Sequence, residues 1–600
     1  MESTIEHPDG MKLDYLTFSP YDYALFGGML VVSALVGVYF GCYKKQKTAN
    51  DYLLGGRTMG VFPIATSLAA SYISAITLLG MPAEVYTHGT QYAMSCFGGL
   101  FATVIIGYVF LPVFYELQLT SSYEYLELRF CKNVRLAASF IFLLDCIMIM
   151  PIVMYVPSLA FNLVTGIEIK FINPVVCLVC IFYTTLGGLK AVVWTDTIQF
   201  VTMNGAIFVI LLLGISNEGG LTKIWTNAET QDRIHFFDFD LDPTKRVSFW
   251  TVTLGMCCGW ISSLGVNQLC VQRFLSVPSM ADAKKVLYIY SIVIAIIKAL
   301  CLFSGLIMFS RYYGCDPLTA GVIARSDQIL PYYVMDTTRK IPGLPGLFIA
   351  GVFSAALSSM SSILNTTSGV IYKDFICLVF PKEFTEKNAS NIMKLIVVVV
   401  GTVTMSMVFI VEKLGSVLQV TISFSGVTNG AMLGVFVMGM IFPRANSKGT
   451  ITGAFASVLF MSWMLYGNSM AISSGAVKYP VKSFAMDQCD SSINITSISS
   501  AVASEFEDTT PPEVYFLHRI SFMWYSLMGT LTVFLVGLPV SYLTSPPSAS
   551  QTKFEYFSPV VRNFLPDNIK QQVRSPKEEE AQYKQVDLLL YTTKENAVNE

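Results

Sequence analysis

The chain has 600 residues, of which 53% are hydrophobic and only 13% charged, and its mean hydropathy is +0.56. Ordinary soluble domains carry about 25% charged residues, so this composition excludes a soluble protein and points to an all-α polytopic membrane protein. The formal net charge of −2 gives no reason to expect a nucleic-acid partner.

Met1 to Pro20 is polar and lacks the apolar core of a cleavable signal peptide. The first membrane span is therefore expected to act as the targeting signal. A span needs about 20 mostly apolar residues. By that rule thirteen spans are expected, beginning near Tyr21, Val61, Cys96, Ala137, Asn173, Gln199, Phe249, Val286, Gly346, Leu395, Ser416, Thr450 and Ser521. Basic residues cluster after the odd-numbered spans: Lys44, Lys45 and Lys47 after the first, Arg129, Lys132 and Arg135 after the third, Arg273, Lys284 and Lys285 after the seventh. The positive-inside rule makes those loops cytoplasmic. Residues 1–20 are then an extracellular N-terminus, 21–43 the first span, 450–543 two C-terminal spans with an extracellular loop 467–518, and 545–600 a polar, disordered cytoplasmic tail. The sequon at Asn494 falls outside, where glycosylation is possible in principle. The thirteen cysteines lie mostly in apolar spans and read as small buried hydrophobes; only Cys315 and Cys489 look lumenal.

The second span carries Ser67, Ser71, Ser74 and Thr77 at i, i+4, i+7 and i+10, a continuous hydroxyl stripe on one helix face, with Gly80 and Pro82 expected to interrupt it. The seventh span, Phe249 to Asn267, is equally rich in Gly, Ser and Thr and lies five spans later. Interrupted spans in corresponding positions of two halves point to an inverted repeat with a binding site near the midplane, where freed carbonyls hold a cation. In the ninth span Ala355, Ser358 and Ser359 sit at i, i+3 and i+4, so their oxygens share a face and suit a small hard cation such as Na⁺. Further polar residues along that span, through Asn365 and Thr367, must avoid lipid.

Asp145 and Lys298 lie in mid-span, where ionisable groups are functional or mutually paired. We expect the two to face each other. Asp196, at the cytoplasmic edge of the sixth span, is a candidate for the ion path. No Arg falls in mid-span near the site, so an anionic solute would rely on backbone N–H groups and on hydroxyls such as Ser74, Thr77 and Ser423. No HExxH, GxxxxGK[ST] or GxSxG motif is present, and the four His fall outside the expected spans, which argues against an enzyme and against a cofactor.

Four segments carry a resemblance: TLGGLKAVVWTDTIQ (185–199), GVNQLCVQRFLS (265–276), LPVFYELQLTSSYEYLELRF (111–130) and GLPGLFIAGVFSAALSSMSSILN (343–365). In them the chain resembles the solute:sodium symporter family, in its sodium-coupled monocarboxylate and sodium-dependent multivitamin transporter branch. The resemblance implies a LeuT-like core of two inverted five-helix repeats, 61–216 and 249–441, working by alternating access as a monomer in the plasma membrane. It implies a Na⁺ site formed by the carbonyls of Ala70 and Ile73 with Ala355, Ser358 and Ser359, and an acidic residue on the inner ion path at Asp196. Gln419 matches a sugar-contacting glutamine, whereas Thr77 and Tyr72 replace the histidine and asparagine of the sugar branch, so a small organic anion is the expected solute. Vitamins such as biotin or pantothenate, and iodide, are the alternatives within the family. A ligand-gated sensor without net solute transport is the alternative of another class.

Overall fold

The computed structural model describes residues 18–43, 58–119, 121–338, 341–379, 385–411, 417–479, 481–482, 484 and 514–570, and these are helical without a strand. Asn494, Cys489, the extreme N-terminus and the tail beyond Lys570 lie outside the described residues. In chain order the principal helices are α1 (Pro20–Val38), α2 (Val61–Tyr72), α3 (Ala75–His88), α4 (Thr90–Leu117), α5 (Lys132–Thr165), α6 (Ile169–Asn217), α7 (Thr251–Val266), α8 (Gln268–Phe274), α9 (Met280–Arg311), α10 (Leu344–Val370), α11 (Glu386–Val411), α12 (Val417–Ile441), α13 (Ser447–Ser473) and α14 (Tyr525–Leu543).

Each of the thirteen expected spans finds helix. Ten helices are long and apolar enough to cross a bilayer, and two bent pairs qualify when each pair is joined. The 49-residue α6 covers two expected spans: at 1.5 Å per residue it would reach about 74 Å, more than twice a hydrocarbon core. It is broken into two helices by a kink at Gly188, whose φ of 52° and ψ of −158° suit a residue with no Cβ.

The bent pairs are α2–α3, with an angle of 56°, and α7–α8, with an angle of 51°. The first break does not fall at Gly80 and Pro82, which lie inside α3. It falls at Ile73–Ser74, where ψ of Ile73 is 87° and the α2 ladder ends with the Ile73 amide on the Ala69 carbonyl at 2.9 Å. The hydroxyl stripe is thus divided: Ser67 and Ser71 belong to α2, Ser74 to the break and Thr77 to α3. The second break is at Asn267, whose side chain caps α8 by accepting from the Leu269 amide at 2.9 Å. Tyr72 joins the two breaks by donating its hydroxyl to the Ser263 carbonyl.

α10 runs through the middle of the molecule; of its residues only Leu347 and Ile363 are not buried. It packs along α6 and crosses α1 closely enough that a Cβ on Gly346 would come within 2.4 Å of the Asp22 Cα. That approach lets Asp22 serve two helix starts. One oxygen accepts from the Ser19 amide and hydroxyl at 2.8 and 2.6 Å, and the other accepts from the Gly346 amide at 2.8 Å.

The first part of the tail is folded rather than disordered. Phe557, Leu565 and Ile569 form a small buried cluster. Tyr125 donates its hydroxyl to the Tyr556 carbonyl at 3.0 Å, and the Ser558 amide donates to the Met440 carbonyl at 3.0 Å. The fully buried Arg129 gathers the Gly439 and Phe442 carbonyls at the end of α12 and the Gln551 carbonyl of the tail, all within 3.2 Å. Cys315 is disulfide-bonded. Cys177 and Cys180, spaced C-x-x-C in α6, are buried free thiols.

Candidate functional site

The end of α2, the middle of α10 and the second half of α6 meet in a dry space built from oxygens. Beyond the last ladder bond of α2, the carbonyls of Ala70 and Ile73 take no part in either flanking helix, since α3 opens with the Thr77 amide on the Ser74 carbonyl at 3.0 Å. Facing them are Ala355, Ser358 and Ser359, all at most 2% exposed. Ser359 donates its hydroxyl to the Ser71 carbonyl at 2.9 Å or to the Ala355 carbonyl at 3.1 Å, stitching α10 to the broken end of α2. Ser358 donates to Asp196 at 2.6 Å. Both hydroxyl hydrogens are therefore engaged, and the lone pairs are left for a cation. Carbonyl and hydroxyl oxygens in a low-dielectric setting are the donor set a small hard ion needs. The five residues expected to hold Na⁺ thus sit on the elements that meet here.

Asp196 stands in the second half of α6. It is fully buried and accepts from the hydroxyls of Ser67 at 2.6 Å, Ser71 at 3.3 Å and Ser362 at 3.4 Å on one oxygen, and from Ser358 on the other. A guanidinium, unforeseen in the sequence, completes the cluster. Arg273 of α8, 1% exposed, donates from Nη2 to Ser71 at 2.9 Å, Ser362 at 2.5 Å and Asp196 at 3.3 Å, and from Nε to Ser67 at 3.1 Å. Read by charge alone it counted as a cytoplasmic loop residue. Its position six residues past the Asn267 break, on the short helix that leaves α7 at a 51° bend and packs against α2 and α10, is what buries it. Burying an ion pair costs several kcal/mol per ion unless further hydrogen bonds replace the lost water, and the four serines supply them. Through Ser358 this pair shares a hydroxyl with the candidate cation site.

A second arginine closes the other end of the broken span. Arg246 binds Glu84 of α3 through two bonds, Nε–Oε1 at 3.1 Å and Nη2–Oε2 at 2.9 Å, and donates to Gln419 of α12 at 2.9 Å. Its plane lies between the rings of Tyr479 and Phe522, each centred 5.1 Å away. Burial opposes the Arg246 charge, but the Glu84 carboxylate outweighs it and holds the guanidinium above its usual range. Gln419 is therefore drawn to an ion pair rather than to Ser74 and Thr77. Ser74 and Thr77 stay half-buried at the break, and Ser423 lies buried one turn along α12 from Gln419.

The expected pairing of Asp145 with Lys298 does not form. Asp145 of α5 accepts from Thr428 of α12 at 2.6 Å, beside Ser262 and Asn267. Lys298 of α9 stands with Nζ 3.6 Å from the centre of the Trp260 ring. Among the described residues no carboxylate lies within ion-pair distance of it. The reason is geometric: the two helices make no substantial contact, so each charge finds its nearest polar or aromatic partner.

Two relatives and one solved structure bear on this arrangement. The chain is 37% identical to sodium-coupled monocarboxylate transporter 2 of Mus musculus over 88% of its own length and 84% of the relative's. It is 38% identical to sodium-coupled monocarboxylate transporter 1 of Homo sapiens, covering 88% of each. The substrate-bound, outward-open structure of a Na⁺-coupled sialic acid symporter matches at a TM-score of 0.72 and 26% identity, over 88% of this chain and 99% of that one. The fold is thus the LeuT type, and two of its spans are broken, α2–α3 and α7–α8. With a family model for sodium:solute symporters matching residues 52–457, the chain belongs to that family and is a multi-pass, Na⁺-coupled solute symporter, not an enzyme.

Proposed function

We propose that the protein imports a small monocarboxylate, of the lactate, pyruvate, short-chain fatty acid or nicotinate kind, together with Na⁺ across the plasma membrane. The observation that carries this reading is the likeness, along nearly nine-tenths of the chain, to transporters named for sodium-coupled monocarboxylate transport.

In this reading Na⁺ enters from outside and binds the Ala70 and Ile73 carbonyls with Ala355, Ser358 and Ser359. Its charge favours the state that the carboxylate then closes, so each raises the other's affinity by the same factor. Ser74, Thr77 and Ser423 line the solute pocket, and Asp196 lies on the inward path of the ion, where Arg273 must yield its hydroxyl contacts before release. The N-terminus is outside and the C-terminus inside, Asn494 is available for glycosylation, and one chain suffices for transport. No cofactor is needed beyond the coupling ion.

The test is uptake of labelled pyruvate, butyrate, nicotinate, biotin, pantothenate, iodide, choline and glucose into cells expressing the full chain, with Na⁺ and with Na⁺ replaced, alongside membrane current. Na⁺-dependent uptake confined to the first three supports the reading. Uptake of biotin or pantothenate alone moves it to vitamins, and current without uptake of any solute would replace it with a sensor.

A further inference from the structure

Three buried acids near the broken spans have counter-charges: Glu84 holds Arg246, Asp196 holds Arg273 and Asp374 holds Arg135. Asp145 has none among the described residues. Its hydrogen-bond partner is the Thr428 hydroxyl at 2.6 Å, a neutral donor that satisfies one carboxylate oxygen and leaves the charge standing. A carboxylate in mid-span is costly until a positive charge meets it.

Asp145 lines a small cavity where α5, the end of α7 and α12 come together. The cavity holds about 10 Å³, close to what one water-sized sphere needs. Its polar lining is Asp145, Tyr123, Ser262, Asn267, Thr428 and Asn429, and no basic residue is among the described lining residues. Tyr123 is fully buried, and its hydroxyl has no hydrogen-bond partner among the described residues. A buried hydroxyl left unpaired costs free energy, so this oxygen is available to a ligand in the cavity. The C-terminal end of α7 reaches the same place: Val266 and Asn267, where that helix stops, both line the cavity. A helix C-terminus brings partial negative charge and carbonyls beyond its ladder, and both favour a cation.

The donor set selects the ion. One carboxylate among neutral oxygens balances a single positive charge, whereas sites for divalent ions gather more carboxylates, and no thiol or imidazole lines the cavity for a softer metal. The volume has no room for an organic cation. We propose that this cavity binds a second Na⁺, with Asp145 as the charged ligand and the neutral oxygens around it completing the set. The site shares no residue with the one between α2 and α10. It rests on that first site for the count of ions: two Na⁺ then enter with each solute, one beside each broken span.

The experiment counts ions. Entry of radiolabelled Na⁺ added by saturating pyruvate, and entry of labelled pyruvate, are measured in the same cells, for the parent chain and variants at matched surface expression. The expected ratio is two Na⁺ per pyruvate in the parent and one in Asp145→Asn. The Hill coefficient for Na⁺ falls from about 2 to about 1 in that variant, because it is bounded by the number of sites. Uptake at saturating Na⁺ changes by less than about threefold, the first site being intact. Thr428→Val removes the bond between α5 and α12 but keeps the carboxylate, and it retains the ratio of two. Tyr123→Phe removes one neutral oxygen and raises the Na⁺ half-saturation about threefold, with the ratio kept. An unchanged ratio in Asp145→Asn overturns the second site, and so does an equal fall in Asp145→Asn and Thr428→Val, which would make the role of Asp145 structural. Should Asp145→Asn not reach the surface, Tyr123→Phe and Asn429→Ala carry the test, and an unchanged Na⁺ activation curve in both overturns the site. A parent that carries biotin but not pyruvate ends the monocarboxylate reading, and the same count with biotin then decides the ion site separately.

Discussion

Two arginine–carboxylate pairs close this molecule, and they are built differently. Arg246 and Glu84 meet through two short bonds, backed by aromatic rings and one glutamine. Arg273 and Asp196 touch at only 3.3 Å and are joined mainly through the hydroxyls of Ser67, Ser71 and Ser362. The first is a clamp that recognises a carboxylate. The second is a polar lattice in which a charge is held through several hydroxyls, one of them, Ser358, belonging to the candidate cation site. The difference is one of geometry: direct two-point bonding in the first pair, shared hydroxyls in the second.

The contrast breaks most severely at the cation site. Ser358→Ala with Ser359→Ala should abolish Na⁺-dependent uptake, because the two hydroxyls of the proposed ligand set vanish together, while surface labelling shows the chain still present. Next comes Asp196→Asn. It leaves Arg273 buried without its counter-charge, a loss on the order of 3–5 kcal/mol when one partner of a buried pair is removed. The expected outcome is a sharp drop in surface protein, partly recovered by Asp196→Asn/Arg273→Gln, as read by immunoblot and by thermal aggregation of solubilised chain. A double variant no better than the single one would show that the pair is not coupled. At the clamp, Arg246→Lys keeps the charge but loses the planar fork. The loss of one charge-assisted bond to Glu84 should lower the thermal-aggregation temperature of the solubilised chain by less than Asp196→Asn does, with Na⁺ half-saturation little changed. A parallel loss of Na⁺ affinity would mean that the two ends are not separable.

The smallest effects concern Asp145 and Lys298. Because Asp145 is bound to Thr428 and Lys298 to the Trp260 ring, their substitutions should act independently. Asp145→Asn and Lys298→Met should change log uptake additively, and rescue of one by the other would restore the pairing that the structure does not contain.

Much of the fold was legible because a bilayer imposes a length: twenty apolar residues are hard to hide, and each of the thirteen spans expected from hydropathy finds helix, Gly188 dividing the one continuous stretch. The oxygen face of α10 was legible for a similar reason, since Ala355, Ser358 and Ser359 follow helical spacing. The first break was misplaced because Gly80 and Pro82 are local signals, while the break at Ile73–Ser74 is held by a distant partner, the Ser359 hydroxyl on the Ser71 carbonyl. Arg273 was missed because counting basic residues assigns loops and cannot see that the short helix after the bend packs against α2 and α10. The folded tail was missed because Phe557, Leu565 and Ile569 are too few and too spaced to stand out in a polar stretch.

The central claim is that Na⁺ bound between α2 and α10 drives carboxylate import. It is tested most directly by initial uptake of labelled monocarboxylate against external Na⁺, in the parent and in Ser359→Ala at matched surface expression. The account predicts saturable Na⁺ activation in the parent, shifted to at least tenfold higher Na⁺ in the variant. Carboxylate uptake that persists without Na⁺, or an unchanged activation curve in Ser359→Ala, would contradict it.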